Sequence, residues 1–294
     1  MPEFPDVEVY RSALSSRIVG ATLRAIDIVH PFVLRAALPP IEAAIGSKVG
    51  EVRRLGKRIV IALDDNLNLV IHLMVAGRLR WLQDGARSPA RITLARFAFD
   101  AGTLVLTEAG SKRRASLHVV QGDAALRAFD MGGLEVFDTT LDAFTARLAS
   151  ENHTLKRALT DPRLLSGIGN AYSDEILHRA RLSPLAMTTK LDAGQWARLY
   201  DAARAVLDEW RKRLADESGA AFPDKVTAFR PQMAVHGKFG ARCPVCGSSV
   251  QRIVYAENEC NYCARCQTGG VVLADRALSR LLHKSWPRSI DELG

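Results

Sequence analysis

Pro2 stands directly behind Met1 and in front of Glu3. Removal of one residue would leave a secondary amine at the chain terminus, beside a carboxylate. Such an amine condenses with a carbon at the aldehyde oxidation level to an iminium that has no N–H proton to lose. The adduct stays cationic and draws electrons from its neighbours until elimination or hydrolysis. An α-amino group titrates near pH 8 against roughly 10.4 for lysine, so its free-base fraction at neutral pH is larger by about two orders of magnitude. Proline's amine is intrinsically more basic, and burial or a neighbouring cation has to bring it down.

A second constellation lies near the other end. Cys243-Pro-Val-Cys246 and Cys263-Ala-Arg-Cys266 are separated by the sixteen residues 247–262. That is the spacing of a four-thiolate zinc ribbon, and it makes structural Zn2+, one ion per chain, the expected cofactor. Residues 249–255 alternate well enough to be a hairpin strand that brings the two knuckles together. Cys260 offers a second choice. A Cys260/Cys263 pair would leave a thirteen-residue gap and strand Cys266, so Cys260 reads as a spare thiol.

The elements that must position these groups follow from the rest of the chain. Its 294 residues are enough for two domains with real cores, and 48% hydrophobic content describes a globular protein. Forty Lys and Arg against 32 Asp and Glu give a net charge of +8, which favours a polyanionic partner. No apolar run approaches the roughly eighteen residues of a membrane helix, and no signal peptide is recognisable at the N-terminus. Five cysteines, four of them in knuckles, fit a reducing compartment better than a disulfide framework. A cytosolic chain with no membrane partner is expected.

Helical spacing of Val7, Leu14 and Ile18 predicts a helix from Asp6, as N-cap, to about Arg17. To about residue 120, short β-rich runs at 57–63, 67–73, 92–99 and 103–107 alternate with turns at 64–66 and 100–102 and predict a β-sandwich or barrel. The pattern turns helical from Leu141 to about Leu214. A loop containing Gly and Pro, residues 218–231, then leads to the ribbon. The fold class is α+β. Gly167-Ile-Gly169-Asn170 sets two glycines before a helix whose free N–H groups face an anion, with Asn170 placed to cap it or to reach a phosphate. A plain helix hairpin with a glycine turn is the other reading.

These residues together resemble the formamidopyrimidine-DNA glycosylase and endonuclease VIII family. Residues 1–8 resemble its start, Gly56-Lys57 falls where it keeps a lysine, and His72 falls on its strand carrying a phosphate-touching histidine. Residues 156–184 resemble its helix-two-turn-helix, and 262–267 its zinc-finger terminus. The resemblance runs from residue 1 to about 267. It implies an N-terminal catalytic β-sandwich with a leading helix (1–130), a helix-two-turn-helix DNA-binding domain (131–230), a zinc finger (231–270) and an extension of unknown role (271–294).

It also implies chemistry. A damaged base is flipped from duplex DNA, the Pro2 amine attacks the sugar C1′, the base leaves, and elimination nicks the strand. Glu3 is then the general acid that opens the sugar, Lys57 binds phosphate and assists, and Asp6 takes the place of a family Glu near the nucleophile. His72, Arg113, Arg114, Lys156, Gly169, Asn170 and Asn258 would contact DNA, and Cys243, Cys246, Cys263 and Cys266 would hold the zinc. The implied partner is a duplex with a damaged base or abasic site, bound by a monomer in the bacterial cytosol or nucleoid. Without the resemblance, Glu3 and Asp6 read as helix caps and Lys57 as a guard on a strand edge.

Three departures stand out. The family's intercalating Arg-Arg-Phe aligns with Arg113-Arg114-Ala115, its space-filling Met aligns with Val75, next to Met74, and its zinc-hairpin Arg aligns with Asn258. Phe4-Pro5 favours the formamidopyrimidine type over the endonuclease VIII type. Two other classes are a DNA-binding member without turnover and a zinc-ribbon adaptor whose Pro2 is incidental. Leu278, Leu281 and Leu282 follow helical spacing ahead of Trp286, and packing against the core is the expectation for this tail.

Overall fold

The computed structural model describes residues 1–83, 86, 88–110, 112–223, 226–227, 229–255, 258–273 and 287–293, with the side chains of Asn258 and Leu293 outside the description. Two compact units divide the chain: residues 1–131 with 210–227, and residues 132–209 with 228–294.

The first unit opens with helix α1, Phe4–Ile18. It starts two residues before the expected Asp6 cap: Glu3 is the N-cap and Asp6 the third helical residue. Proline at the start of the helix explains the shift, because Pro5 lacks an N–H and its fixed φ suits the first turn. Asp6 Oδ2 accepts the Glu3 backbone N–H at 3.0 Å, one arm of a capping box.

Behind α1 stand two four-stranded antiparallel sheets. One contains β1 (Leu23–Ile28), β5 (Gly77–Leu82), β6 (Thr93–Phe99) and β7 (Gly102–Glu108) in the order β1-β6-β7-β5. The other runs β2-β3-β4-β8, from β2 (Val49–Leu55), β3 (Arg58–Leu63), β4 (Leu67–His72) and β8 (Ser116–Gln121). Side-chain alternation sends Ile59, Ile61, Leu69, Ile71, Leu117 and Val119 inward to meet Leu79, Phe97, Leu104 and Leu106, with Tyr10, Leu14 and Ile18 of α1 in the same core. The opposite faces of β3, β4 and β8 bury Val60, Val70 and Val120 against Leu126 of the short helix α2, Gly122–Arg127. β3 and β4 are thus covered on both sides, which is why they read as continuous apolar runs. β1, β2, β5 and β8 were not anticipated. Arginines and other polar residues on their wetter faces dilute the alternation.

The second unit holds α3 (Leu141–Ala149), α4 (Leu155–Thr160), α5 (Asn170–Ala180) and the long α6 (Ala193–Ser218), whose residues from Trp210 on group with the sandwich. The expected hairpin follows: β9, Val250–Tyr255, pairs with β10, Asn258–Cys263, and α7, Ala264–Thr268, closes the ribbon. Ile290 and Val272 enter the ribbon core beside Ile253, Cys260 and Tyr262, and Val271 bridges to Ser289. The described parts of the tail therefore pack as expected. Leu278, Leu281, Leu282 and Trp286 lie outside the described residues. Among the described residues no helix is long and apolar enough to cross a membrane.

Candidate active site and nucleic-acid interface

Three connections of the sandwich emerge at one end because of the strand register. Arg58 pairs with His72, His72 with Ser116, and Gly77 with Glu108. The Gly56-Lys57 turn, loop 73–76 and loop 109–115 are therefore neighbours. Gly56 has φ +61°, a left-handed turn position that glycine occupies without strain. Arg54 braces this turn against α1: Nη1 donates to the Gly56 carbonyl at 2.9 Å, Nε donates to Glu8 Oε1 at 2.9 Å, and the guanidinium lies 4.6 Å from the Phe4 ring centre.

Pro2, Glu3 and Asp6 are all buried at the start of α1. Burial holds the terminal amine, here on Met1, below its ordinary range. Glu3 and Asp6 oppose that shift, while Arg78 and Lys57 add to it. The terminus thus lies within the field of Glu3, Asp6, Lys57 and Arg78, a quartet that brings together three predicted site residues and one unforeseen arginine. His72 is pushed down to about 4, first by burial and then by Arg58, Lys57 and His118, so it is neutral at pH 7.

Val75 is 57% exposed at the tip of loop 73–76, beside Met74 at φ +52°. Gly77 N–H closes the loop on the Leu73 carbonyl at 2.8 Å, and a Cβ on Gly77 would lie 2.2 Å from that oxygen. In loop 109–115, Lys112 and Arg114 are exposed, while Arg113 is half-buried and donates to the Arg91 carbonyl at 3.0 Å. Ala115 corrects the alignment of the wedge. It is 2% exposed in the sandwich core, because it precedes β8 and turns inward with Leu117 and Val119.

In the second unit, Lys156 of α4 donates to the Asn170 carbonyl at 2.7 Å, Ser173 Oγ at 2.8 Å and Asp174 Oδ1 at 2.5 Å. Three donors meet three acceptors around the first turn of α5. Gly169, not Asn170, is the N-cap of that helix. The Asn170 side-chain amide instead donates to the Glu259 carbonyl of β10 at 2.8 Å. Fully buried Asp174 also accepts from the Asn261 N–H at 3.1 Å and meets His236 Nδ1 at 2.8 Å. Glu175 accepts the backbone N–H groups of Ala234, Val235 and His236 at 2.8–2.9 Å, and burial outweighs these bonds and raises its pKa.

Cys243, Cys246, Cys263 and Cys266 bring their sulfurs within 4.8 Å of one another. Cys243 and Cys266 are 3.9 Å apart and Cys246 and Cys263 3.4 Å, close to the roughly 3.8 Å edge of a tetrahedron of metal–sulfur bonds. These four could hold a metal ion. Cys260 is not among them: it is buried in the ribbon core, and its thiol is pushed up by burial and by Asp174. His178 Nε2 lies 3.3 Å from Cys243 Sγ, a contact that orients one of the four sulfurs that could hold the ion.

The formamidopyrimidine-DNA glycosylase N-terminal domain model matches residues 1–115, and the helix-two-turn-helix domain model of the same glycosylases matches residues 134–217. A formamidopyrimidine-DNA glycosylase of Heliobacterium modesticaldum is 35% identical over 91% of this chain and its own whole length. The chain belongs to the formamidopyrimidine-DNA glycosylase family. A solved Thermus thermophilus member is 33% identical, with a TM-score of 0.76 over 90% of this chain and 98% of that one. A complex between the Lactococcus lactis enzyme and DNA containing an abasic site is 25% identical, with a TM-score of 0.81 over 90% of this chain and 99% of that one.

Within this formamidopyrimidine-DNA glycosylase fold, sequence reasoning missed Arg78, Glu108, Asp174, Glu175, His178 and His236. Asp174, Glu175 and His178 lie within the helix-two-turn-helix stretch but were given no role there, and Arg78, Glu108 and His236 belong to no local motif. Each meets its partner through a strand pairing or a helix packing that spacing does not display. The Asn258 side chain lies outside the described residues.

Proposed function

We propose that this chain, a DNA repair glycosylase acting on damaged bases, works through Pro2 once Met1 is removed. The Pro2 nitrogen attacks C1′ of a flipped nucleotide, the C1′–base bond breaks, and the base leaves with a proton. The ring oxygen takes a proton from Glu3 as the sugar opens, giving the iminium. Loss of a C2′ proton then expels the 3′ phosphate, an AP lyase step, and water hydrolyses the iminium. Asp6, which holds the Glu3 N–H, fixes the direction of that acid. Lys57 binds phosphate and lowers the amine's pKa.

His72, Arg113, Arg114, Gly169, Asn170 and Asn258 grip the DNA, and Lys156 contributes by holding the Asn170 turn that presents α5. Zn2+ held by the four cysteines supplies structure only. The expected substrate is a duplex with a formamidopyrimidine-type lesion, acted on by a monomer in the bacterial cytosol or nucleoid. Residues 1–130 would be the catalytic domain, 131–230 the DNA-gripping domain and 231–270 the zinc finger.

The observation that supports this reading is the joint burial of Pro2, Glu3 and Asp6 at the start of α1, with Asp6 holding the Glu3 N–H, in a chain of the formamidopyrimidine-DNA glycosylase family. Borohydride reduction on a duplex with an abasic site tests it, since reduction of the iminium leaves a covalent adduct. An adduct that disappears when residues are added before Pro2, with binding retained, is the expected result. Equal adduct on the extended chain would move the nucleophile to a lysine, and binding with no adduct from either chain would make the protein a lesion binder.

A further inference from the structure

Loops 73–76 and 109–115 share an unusual topology. The first carries the chain from β4 to β5, crossing between the two sheets, and the second carries it back from β7 to β8. Their ends are paired on both sides, His72 with Ser116 in one sheet and Gly77 with Glu108 in the other. They are two crossings laid side by side.

Glu108 stands at the junction. Its residue is 1% exposed, and a single carboxylate oxygen, Oε2, accepts the backbone N–H of Arg114 and of Ala115, both at 2.9 Å. The same residue is the register partner of Gly77, which closes the other loop on Leu73. Arg78, next in the chain, donates to the Gly77 carbonyl at 2.7 Å and the Val75 carbonyl at 3.2 Å. A side chain that folded one loop alone would not need to sit on the strand position that ends the other.

What the two loops carry gives the junction a purpose. One exposes an apolar side chain, Val75, and the other exposes the cations Lys112 and Arg114. An apolar tip beside backbone-binding cations is what a protein needs to enter a base stack while gripping the adjacent phosphates. Neither Val75 nor any described residue of loop 109–115 is a large aromatic wedge. Unstacking a step costs a few kcal/mol, so small side chains must be held rigidly to offset it. We propose that Glu108 is a positioning residue that locks these two loops into one rigid probe for everting a paired base. This rests on the glycosylase reading above.

The test compares two substrates for the full-length zinc-loaded protein. One is a formamidopyrimidine-containing duplex, whose base must be everted, and the other is an abasic-site duplex, which has no base to evert. Glu108→Leu removes the acceptor at similar volume. Single-turnover base release should fall by about tenfold or more, the scale of lost hydrogen bonds to a charged group, while borohydride trapping on the abasic duplex stays within about twofold. Glu108→Gln keeps an acceptor oxygen and should restore most of the loss. Should Glu108→Leu fail to fold, Glu108→Asp, which keeps the charge but shortens its reach, carries the same comparison. Equal losses on both substrates, or none on either, would overturn the proposal. Wild-type protein that traps no abasic site would instead strike the underlying reading, so the two failures are distinct.

Discussion

At the residue scale the site is governed by which charges surround the chain terminus. Burial, Arg78 and Lys57 each disfavour the protonated Met1 amine against the opposing pull of Glu3 and Asp6, and the same groups would act on a Pro2 amine exposed by loss of Met1. Lys57→Met removes one of those cations. The midpoint of the trapping rate against pH should move upward, over and above any loss of rate, and an unmoved midpoint would place Lys57 outside the amine's field. His72 carries a second pH dependence. Its folded pKa of about 4 lies below the unfolded value near 6.5, so between these values the unfolded chain binds the extra proton. The stability of the neutral buried ring is fully present above about 6.5 and lost as pH falls toward 4. His72→Gln abolishes that loss. Urea midpoints at pH 7 and pH 4.5 should diverge more for the wild type than for the variant, and parallel behaviour would refute the depressed value.

At the scale of elements, the turn before α5 is held from behind. Lys156 spends its donors on Asn170, Ser173 and Asp174, and Asp174 has no access to water. Removing the cation from such a buried pair leaves a carboxylate without its counter-charge, a loss of about 3 kcal/mol or more. Lys156→Met should therefore lower the unfolding free energy by that order while leaving the slope of log binding constant against log salt nearly unchanged. Arg114→Ala, on an exposed loop, should do the reverse: little change in stability and a slope shallower by about 0.9 if it neutralises one phosphate. Denaturant titration and salt-dependent binding on both variants decide between these roles. A Lys156→Met slope shallower by the same amount would return Lys156 to the phosphate contacts.

At the scale of the whole molecule, the two compact units make metal loss a local event. Chelation, or Cys266→Ser, should reduce bound zinc from about one per chain and weaken the unit that holds the ribbon, because a structural metal contributes folding free energy where its ligands fold. The sandwich unit should keep its own thermal transition. Cys260→Ser should leave metal content unchanged, and zinc lost there but kept in Cys266→Ser would reverse the ligand choice. The sequence alone determined what is local: the Pro2-Glu3 start, the two C-x-x-C knuckles, the hairpin strand between them, and the strands of the sandwich whose apolar runs are longest. Those features depend on neighbours a few residues away, and the hydrophobic period or ligand spacing reports them directly. Only the tertiary structure decided that Ala115 faces inward, that Lys156 answers a buried aspartate eighteen residues on, and that Arg78 joins the terminal field. It also decided that Glu108 binds the turn of a loop closing beside one that ended thirty-one residues earlier. Such contacts arise when sheets pair and helices pack, and the free energy that fixes them belongs to pairs of residues that no local spacing relates.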